Sequence, residues 1–142
     1  GAIQVLAGLW EFAQKNTFGG AAFCSYGAFW MSFWYLNTAT NLGKAGTGLA
    51  VGIGTWLLAW GIFTLYMTFA AWRTNIATFL VFVALTLTYF ALSLGAYGSV
   101  DWLDKLGGWL GIITAIIAWY TSFGVVINST FKRTVLPLGP NA

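Results

Sequence analysis

Long apolar runs broken by short polar punctuation divide the chain into five segments, at about 1–13, 18–36, 47–72, 76–98 and 106–128. None alternates apolar and polar residues with a period of two, so a barrel of short strands fits poorly. A helix needs about 20 residues to cross about 30 Å of hydrocarbon. The last four segments reach that length, the second only just. The first reaches only about 20 Å, and no charged leader precedes it, so it does not read as a signal peptide. It is expected to be the second half of a spanning helix in a fragment of a longer chain.

Charges at the segment ends set an expected orientation. With alternating sides, Lys15, Arg73, Lys132 and Arg133 share one side, and Lys44 and Lys105 share the other with Asp101 and Asp104. The basic bias puts the C-terminus in the cytoplasm of a multi-pass protein in a cell membrane, plasma or inner. One further helix before the first would complete six spans. The tail, 129–142, carries Pro137 and Pro140 and is expected to leave the membrane as an irregular cytoplasmic segment. The predicted fold class is an all-α membrane protein, a polytopic transmembrane helix bundle forming one membrane domain over 1–128.

Composition narrows the chemistry. The chain is 59% apolar and 19% aromatic, and only 6% of its residues are charged, against about a quarter in soluble domains. A soluble enzyme is excluded. With no His and Cys24 as the one cysteine, zinc sites, haem-type ligation, disulfide frameworks and His-dependent nucleophiles have no ligands or bases. No metal or cofactor is expected. The +3 charge never clusters beyond Lys132 and Arg133, too thin a patch for nucleic acid.

Helices in lipid associate where small residues let backbones approach. Such stripes are Gly20, Cys24, Ala28 and Ser32; Gly48 and Gly52, paralleled by Gly46, Ala50 and Gly54; and Gly107, Gly111 and Ala115. Short loops at 14–17 and 73–75 make sequential helices antiparallel neighbours. Trp10, Trp34, Trp72, Trp102 and Trp109 lie near segment ends, where headgroup anchoring accounts for them. Trp30, Trp56, Trp60 and Tyr26 lie deeper, in helix packing or along a narrow path.

Few residues carry chemistry. Glu11 is the one carboxylate inside an apolar segment, a suspect for proton coupling by that fact, although its nearness to Lys15 also suits an interfacial position. Thr114, Thr121 and Asn128 recur every seven residues on one helical face, with Ala118 and Val125 between them. They could line a water-accessible path; the plainer alternative is interhelical hydrogen bonding, worth about 0.6 kcal/mol. Thr78, Leu85 and Tyr89 share a face of the fourth segment. No basic residue inside the spans awaits a multivalent anion, and no carboxylate ring awaits a metal cation. A small, weakly charged solute fits better, and monocarboxylates, ammonia and urea all qualify.

The stretch 16–30, NTFGGAAFCSYGAFW, resembles the NTFG…SYGxFW signature of the acetate uptake transporter family, which includes bacterial succinate/acetate:proton symporters and fungal acetate and ammonium-export proteins. Its signature positions here are Asn16, Thr17, Phe18, Gly19, Ser25, Gly27 and Trp30. AGLWEF at 7–12, WGIFTLYM at 60–67 and RTVLPLGP at 133–140 agree in order and spacing, so the resemblance covers essentially the whole chain. It implies a six-helix protomer in a homohexameric ring, lying in the lipid bilayer, with a path for acetate or another small carboxylate through each protomer. The family's hydrophobic constriction uses a Phe of the first helix, a Tyr matching Tyr26 and a Leu matching Leu85. Ala118 matches a small selectivity position, and Gln4 and Glu11 match polar positions of the second helix. Three departures stand out. The N-terminal NPAPLGL-type motif is absent, Lys15 stands where Gly is common, and Val125 stands where bacterial relatives often carry an acid. Ammonia or ammonium export is one alternative, disfavoured by the lack of His; a non-transporting membrane scaffold or sensor is another.

Overall fold

The computed structural model describes residues 1–38 and 48–139. Over these residues the chain forms α1 (Ala2–Ala13), α2 (Thr17–Thr38), α3 (Gly48–Ala71), α4 (Ile76–Gly98) and α5 (Asp101–Phe131), and no strand. Of the described helices α3, α4 and α5 are long and apolar enough to cross a membrane. The segment expected at 18–36 forms a helix of 22 residues but is not among the three, because Gly19, Gly20, Ser25, Gly27, Ser32 and Asn37 dilute its apolar content. Helix α5 is longer than the expected 106–128. Asp101 and Asp104 lie in its first turn, where the helix dipole favours acids, and it continues to Phe131. The chain divides into two compact units, Gly1–Leu49 and Ala50–Ala142.

In the first unit α1 and α2 form an antiparallel hairpin fitted at glycines. A Cβ on Gly8 would stand 2.5 Å from Cys24 Sγ and 2.6 Å from its backbone N, and one on Gly27 would stand 2.8 Å from Val5 N. The expected stripe holds at Gly20 and Cys24, then passes to Gly27, leaving Ala28 exposed. At about 100° per residue a seven-residue step returns within about 20° of the same face, whereas eight overshoots by about 80°.

The turn between them closes like a Schellman motif. Lys15 N–H bonds Phe12 O at 3.0 Å and Asn16 N–H bonds Glu11 O at 2.9 Å, with Lys15 left-handed at φ 62. Such a position favours glycine, which gives a physical reason for the glycine common there in the resembling family. Lys15→Gly is expected to stabilise the hairpin by about 0.5–1 kcal/mol, read as a higher unfolding temperature in detergent; an unchanged or lower value would count against the strained turn.

The second unit packs α3, α4 and α5 in antiparallel sequence. Tyr97 lies over Gly54 and Phe90 over Gly61, joining α4 to α3; Leu92 lies over Gly107, joining α4 to α5. Gly48 and Gly52, expected to make a contact, have no described residue within 4 Å of an added Cβ, and Gly46 lies outside the described residues. Asn75 caps α4, its side chain accepting from Thr78 N–H at 2.8 Å.

Beyond α5 the tail expected at 129–142 begins three residues later, because the helix runs on to Phe131. It is irregular, as expected, but starts at Lys132 and folds back as a strap. Asn128 Oδ1 accepts from Val135 N–H at 2.7 Å and Leu136 N–H at 3.0 Å, and Asn128 Nδ2 donates to Leu136 O at 2.8 Å. Tyr120 donates to Pro137 O at 2.6 Å, and Ala77 N–H bonds Leu138 O at 2.9 Å. Leu138 sits over Gly124, and Gly139, at φ 83, sits against Ile76. The physical reason is that an extended segment has no internal partners for its backbone polar groups, and Leu136 and Leu138, both half-buried, favour an apolar surface over water.

Candidate functional site

The candidate residues fall into both units. In the first, the α1–α2 corner gathers three of them. Asn16 caps α2, its Oδ1 accepting from Gly19 N–H at 3.0 Å, while its Nδ2 donates to Glu11 Oε2 at 2.6 Å. Gly19 is buried beside them, and a Cβ there would crowd both Asn16 and Glu11. Thr17, the first residue of α2, is exposed and Phe18 half-buried. NTFG is thus a helix start that also grips a carboxylate.

Further along α2, Tyr26 is buried at 8% exposure. Gly27 presses on Val5 of α1, and Ser25 is half-buried. Trp30 is half exposed and meets Phe29 edge-on at 5.2 Å. The SYGxFW motif therefore combines two buried rings, Tyr26 and Phe29, one close-approach glycine and one outward indole. Gln4 is half-buried in α1.

In the second unit Leu85 and Thr78 are half-buried on α4, whereas Tyr89, on the same face, is 4% exposed. On α5, Thr114 is buried, its hydroxyl 3.5 Å from that of Thr88 and donating to Leu110 O at 2.8 Å. Thr121, half-buried, bonds Ile117 O at 2.8 Å, and Ala118 beside it is half-buried as well. Asn128 is engaged with the strap. The seven-residue stripe thus serves several neighbours: α4 at Thr114, its own helix at Thr121 and the strap at Asn128.

Polar contacts that sequence reasoning missed hold α3 to α4. Ser93, 1% exposed, donates to Gly54 O at 2.8 Å. The Thr68 and Thr86 hydroxyls are 3.0 Å apart, and those of Thr55 and Tyr97 are 2.8 Å apart. The available signal was a hydroxyl residue inside each apolar run, which must find a partner away from water.

Comparison with known proteins places this arrangement. The pattern of the GPR1/FUN34/yaaH family matches residues 1–140. The chain is similar to accumulation of dyads protein 2 of Saccharomyces cerevisiae, at 38% identity over 89% of this chain and 46% of that protein. It is similar to the succinate-acetate/proton symporter SatP of Escherichia coli K12, at 37% identity over 98% of this chain and 74% of that one. The ammonia transport outward protein 2 of Saccharomyces cerevisiae is 36% identical over 87% of this chain and 45% of its own length. The chain thus spans a little under half of either yeast relative. A solved structure described as the bacterial acetate channel SatP superposes with a TM-score of 0.92 at 37% identity, covering 98% of this chain and 77% of that one.

Proposed function

The chain belongs to the GPR1/FUN34/yaaH family, and from that premise we propose that it forms the path by which acetate and related short monocarboxylates, or succinate, cross a cell membrane. The observation that carries the reading is the fold shared with the SatP acetate channel over nearly the whole chain. The chemistry agrees. No basic residue sits within the apolar lengths of α2 to α4, so the path has no fixed charge to trap an anion. Acetate offers a methyl group to an apolar constriction and a carboxylate to hydroxyl and amide donors.

In this reading Tyr26 and Leu85 contribute the constriction, which excludes hydrated ions by dewetting. Gln4, Thr78, Ala118 and Thr121 line the path, and Glu11 is the proton carrier if movement is coupled. Thr114 and Asn128 are left out of it, because Thr88 and the strap already engage them. The working assembly is a homo-oligomer, a hexamer by family resemblance, with the strap on the cytoplasmic side of the plasma or inner membrane. Ammonia export is the second reading, favoured by similarity to the yeast ammonia transport protein and opposed by the absence of His.

Labelled acetate uptake into proteoliposomes, with and without an inward proton gradient, tests this. Uptake is expected, concentrative under the gradient if Glu11 carries a proton and merely equilibrating if the path is a channel. Tyr26→Ala is expected to raise the flux of bulkier monocarboxylates several-fold relative to acetate. Unchanged selectivity would remove Tyr26 from the path. Methylammonium flux without acetate flux would favour the second reading.

A further inference from the structure

Of the chain's three acids, Glu11, Asp101 and Asp104, only Glu11 lies in the α1–α2 unit, and it is the one glutamate. Its carboxylate is fixed at one oxygen, Oε2, which accepts from Asn16 Nδ2 at 2.6 Å. The Asn16 amide is itself oriented: Oδ1 must face the Gly19 N–H, 3.0 Å away, which leaves the nitrogen toward Glu11. The two residues are tied again through Asn16 N–H and Glu11 O at 2.9 Å. Gly19 leaves the necessary room, since a Cβ there would stand 2.6 Å from Asn16 Nδ2 and 2.9 Å from Glu11 Oε2.

Capping α2 explains an oxygen at position 16, and Ser or Asp supplies one about as well as Asn. It does not explain the amide nitrogen aimed at a carboxylate, or a glycine at the third helical position. Both follow if the orientation of the Glu11 carboxyl matters.

We propose that Asn16 is a positioning residue that holds Glu11 so that Oε1 alone takes up and returns the proton accompanying a carboxylate solute. The proposal rests on the transport reading above. With Oε2 facing an N–H donor, an arriving proton has one oxygen to bond, and once it leaves the same donor stabilises the carboxylate. From α2 the corner is faced by Asn16 and Gly19, both neutral. Lys15, in the connecting turn, is the only other charged side chain among the described residues of this unit. Cys24, Tyr26 and Tyr35 lie further along α2.

The test uses reconstituted protein carrying carbon-13 glutamate, whose carboxyl stretch reports Glu11 and disappears in Glu11→Gln. Infrared titration and the pH profile of acetate uptake are measured for the wild type, Asn16→Asp, Asn16→Ser and Gly19→Ala. The Asp and Ser variants keep the cap, so the helix start survives. A second carboxylate against Glu11 is expected to move the infrared midpoint, and the uptake profile with it. Asn16→Ser and Gly19→Ala should move both in the same direction by less, and Glu11→Gln should flatten the uptake profile. Unmoved midpoints in the Asp and Ser variants would reduce Asn16 to a cap and overturn the proposal. Midpoints that move while the uptake profile stays fixed would overturn it too, leaving acetate transport standing. Absence of acetate uptake in the wild type is the separate failure of the transport reading.

Discussion

One methyl group added at Gly8 is expected to destabilise the α1–α2 hairpin by about 1–3 kcal/mol, the range for overpacking a well-fitted contact. The new Cβ would stand 2.5 Å from Cys24 Sγ, 2.6 Å from Cys24 N and 3.1 Å from Gly20 O. The sulfur could rotate away. The backbone nitrogen and oxygen could not, so the whole of α2 must retreat, and with it the fit of Val5 against Gly27 and of Phe12 against Gly20. Gly27→Ala should behave alike, meeting Val5 N and Gly1 O at 2.8 Å. Gly52→Ala is the control, since no described residue lies within 4 Å of its added Cβ; better helix propensity should leave it neutral or more stable by up to about 1 kcal/mol. Thermal unfolding in detergent, followed by tryptophan fluorescence, separates the cases. A Gly8→Ala protein as stable as the wild type would mean that the two helices do not meet as closely as described.

That contrast shows what the sequence could convey. Small residues at four-residue spacing mark where close approach is possible, and at Gly20, Cys24 and Gly107 the approach is realised, whereas Gly111 would still admit a Cβ at ordinary contact distance. Gly48 and Gly52 carry the same pattern without a neighbour among the described residues on that face, because spacing says nothing about which helix arrives. The drift of the contact from Ala28 to Gly27 follows from helical pitch and was derivable. So was the left-handed turn at Lys15, where the chain reverses between two helices in three residues.

The site was legible as residue types more than as partnerships. Glu11 and Asn16 were each singled out, one as a rare carboxylate and the other within NTFG, yet nothing in their separation of five residues reveals a hydrogen bond. That contact exists because a left-handed residue folds the corner back on itself. Likewise Thr114, Thr121 and Asn128 read as one stripe because a helix aligns them, but an aligned stripe on a long helix passes several different neighbours. The strap was missed for a simpler reason. The prolines drew attention to irregular backbone, while Val135, Leu136 and Leu138, apolar residues with no helix to bury them, already signalled a segment that would dock.

Removing the Asn128 side chain is therefore expected to free the strap first and affect solute movement only secondarily. Asn128→Ala deletes one acceptor shared by two N–H groups and one donor, three bonds at 2.7, 3.0 and 2.8 Å. At about 0.5–1.5 kcal/mol net each, and with water able to replace part of the loss at this half-buried position, the local cost should be about 2 kcal/mol. Amide exchange at Val135 and Leu136 should then accelerate about thirty-fold, by the tenfold-per-1.4 kcal/mol rule, and trypsin should cut more readily after Lys132 and Arg133. Asn128→Asp keeps the acceptor and loses the donor, so its acceleration should be smaller. Tyr120→Phe, which removes only the bond to Pro137 O at 2.6 Å, should be smaller still. The graded order is the discriminating feature: a residue that lined the solute path instead would change acetate flux in Asn128→Ala while leaving strap exchange at the wild-type rate.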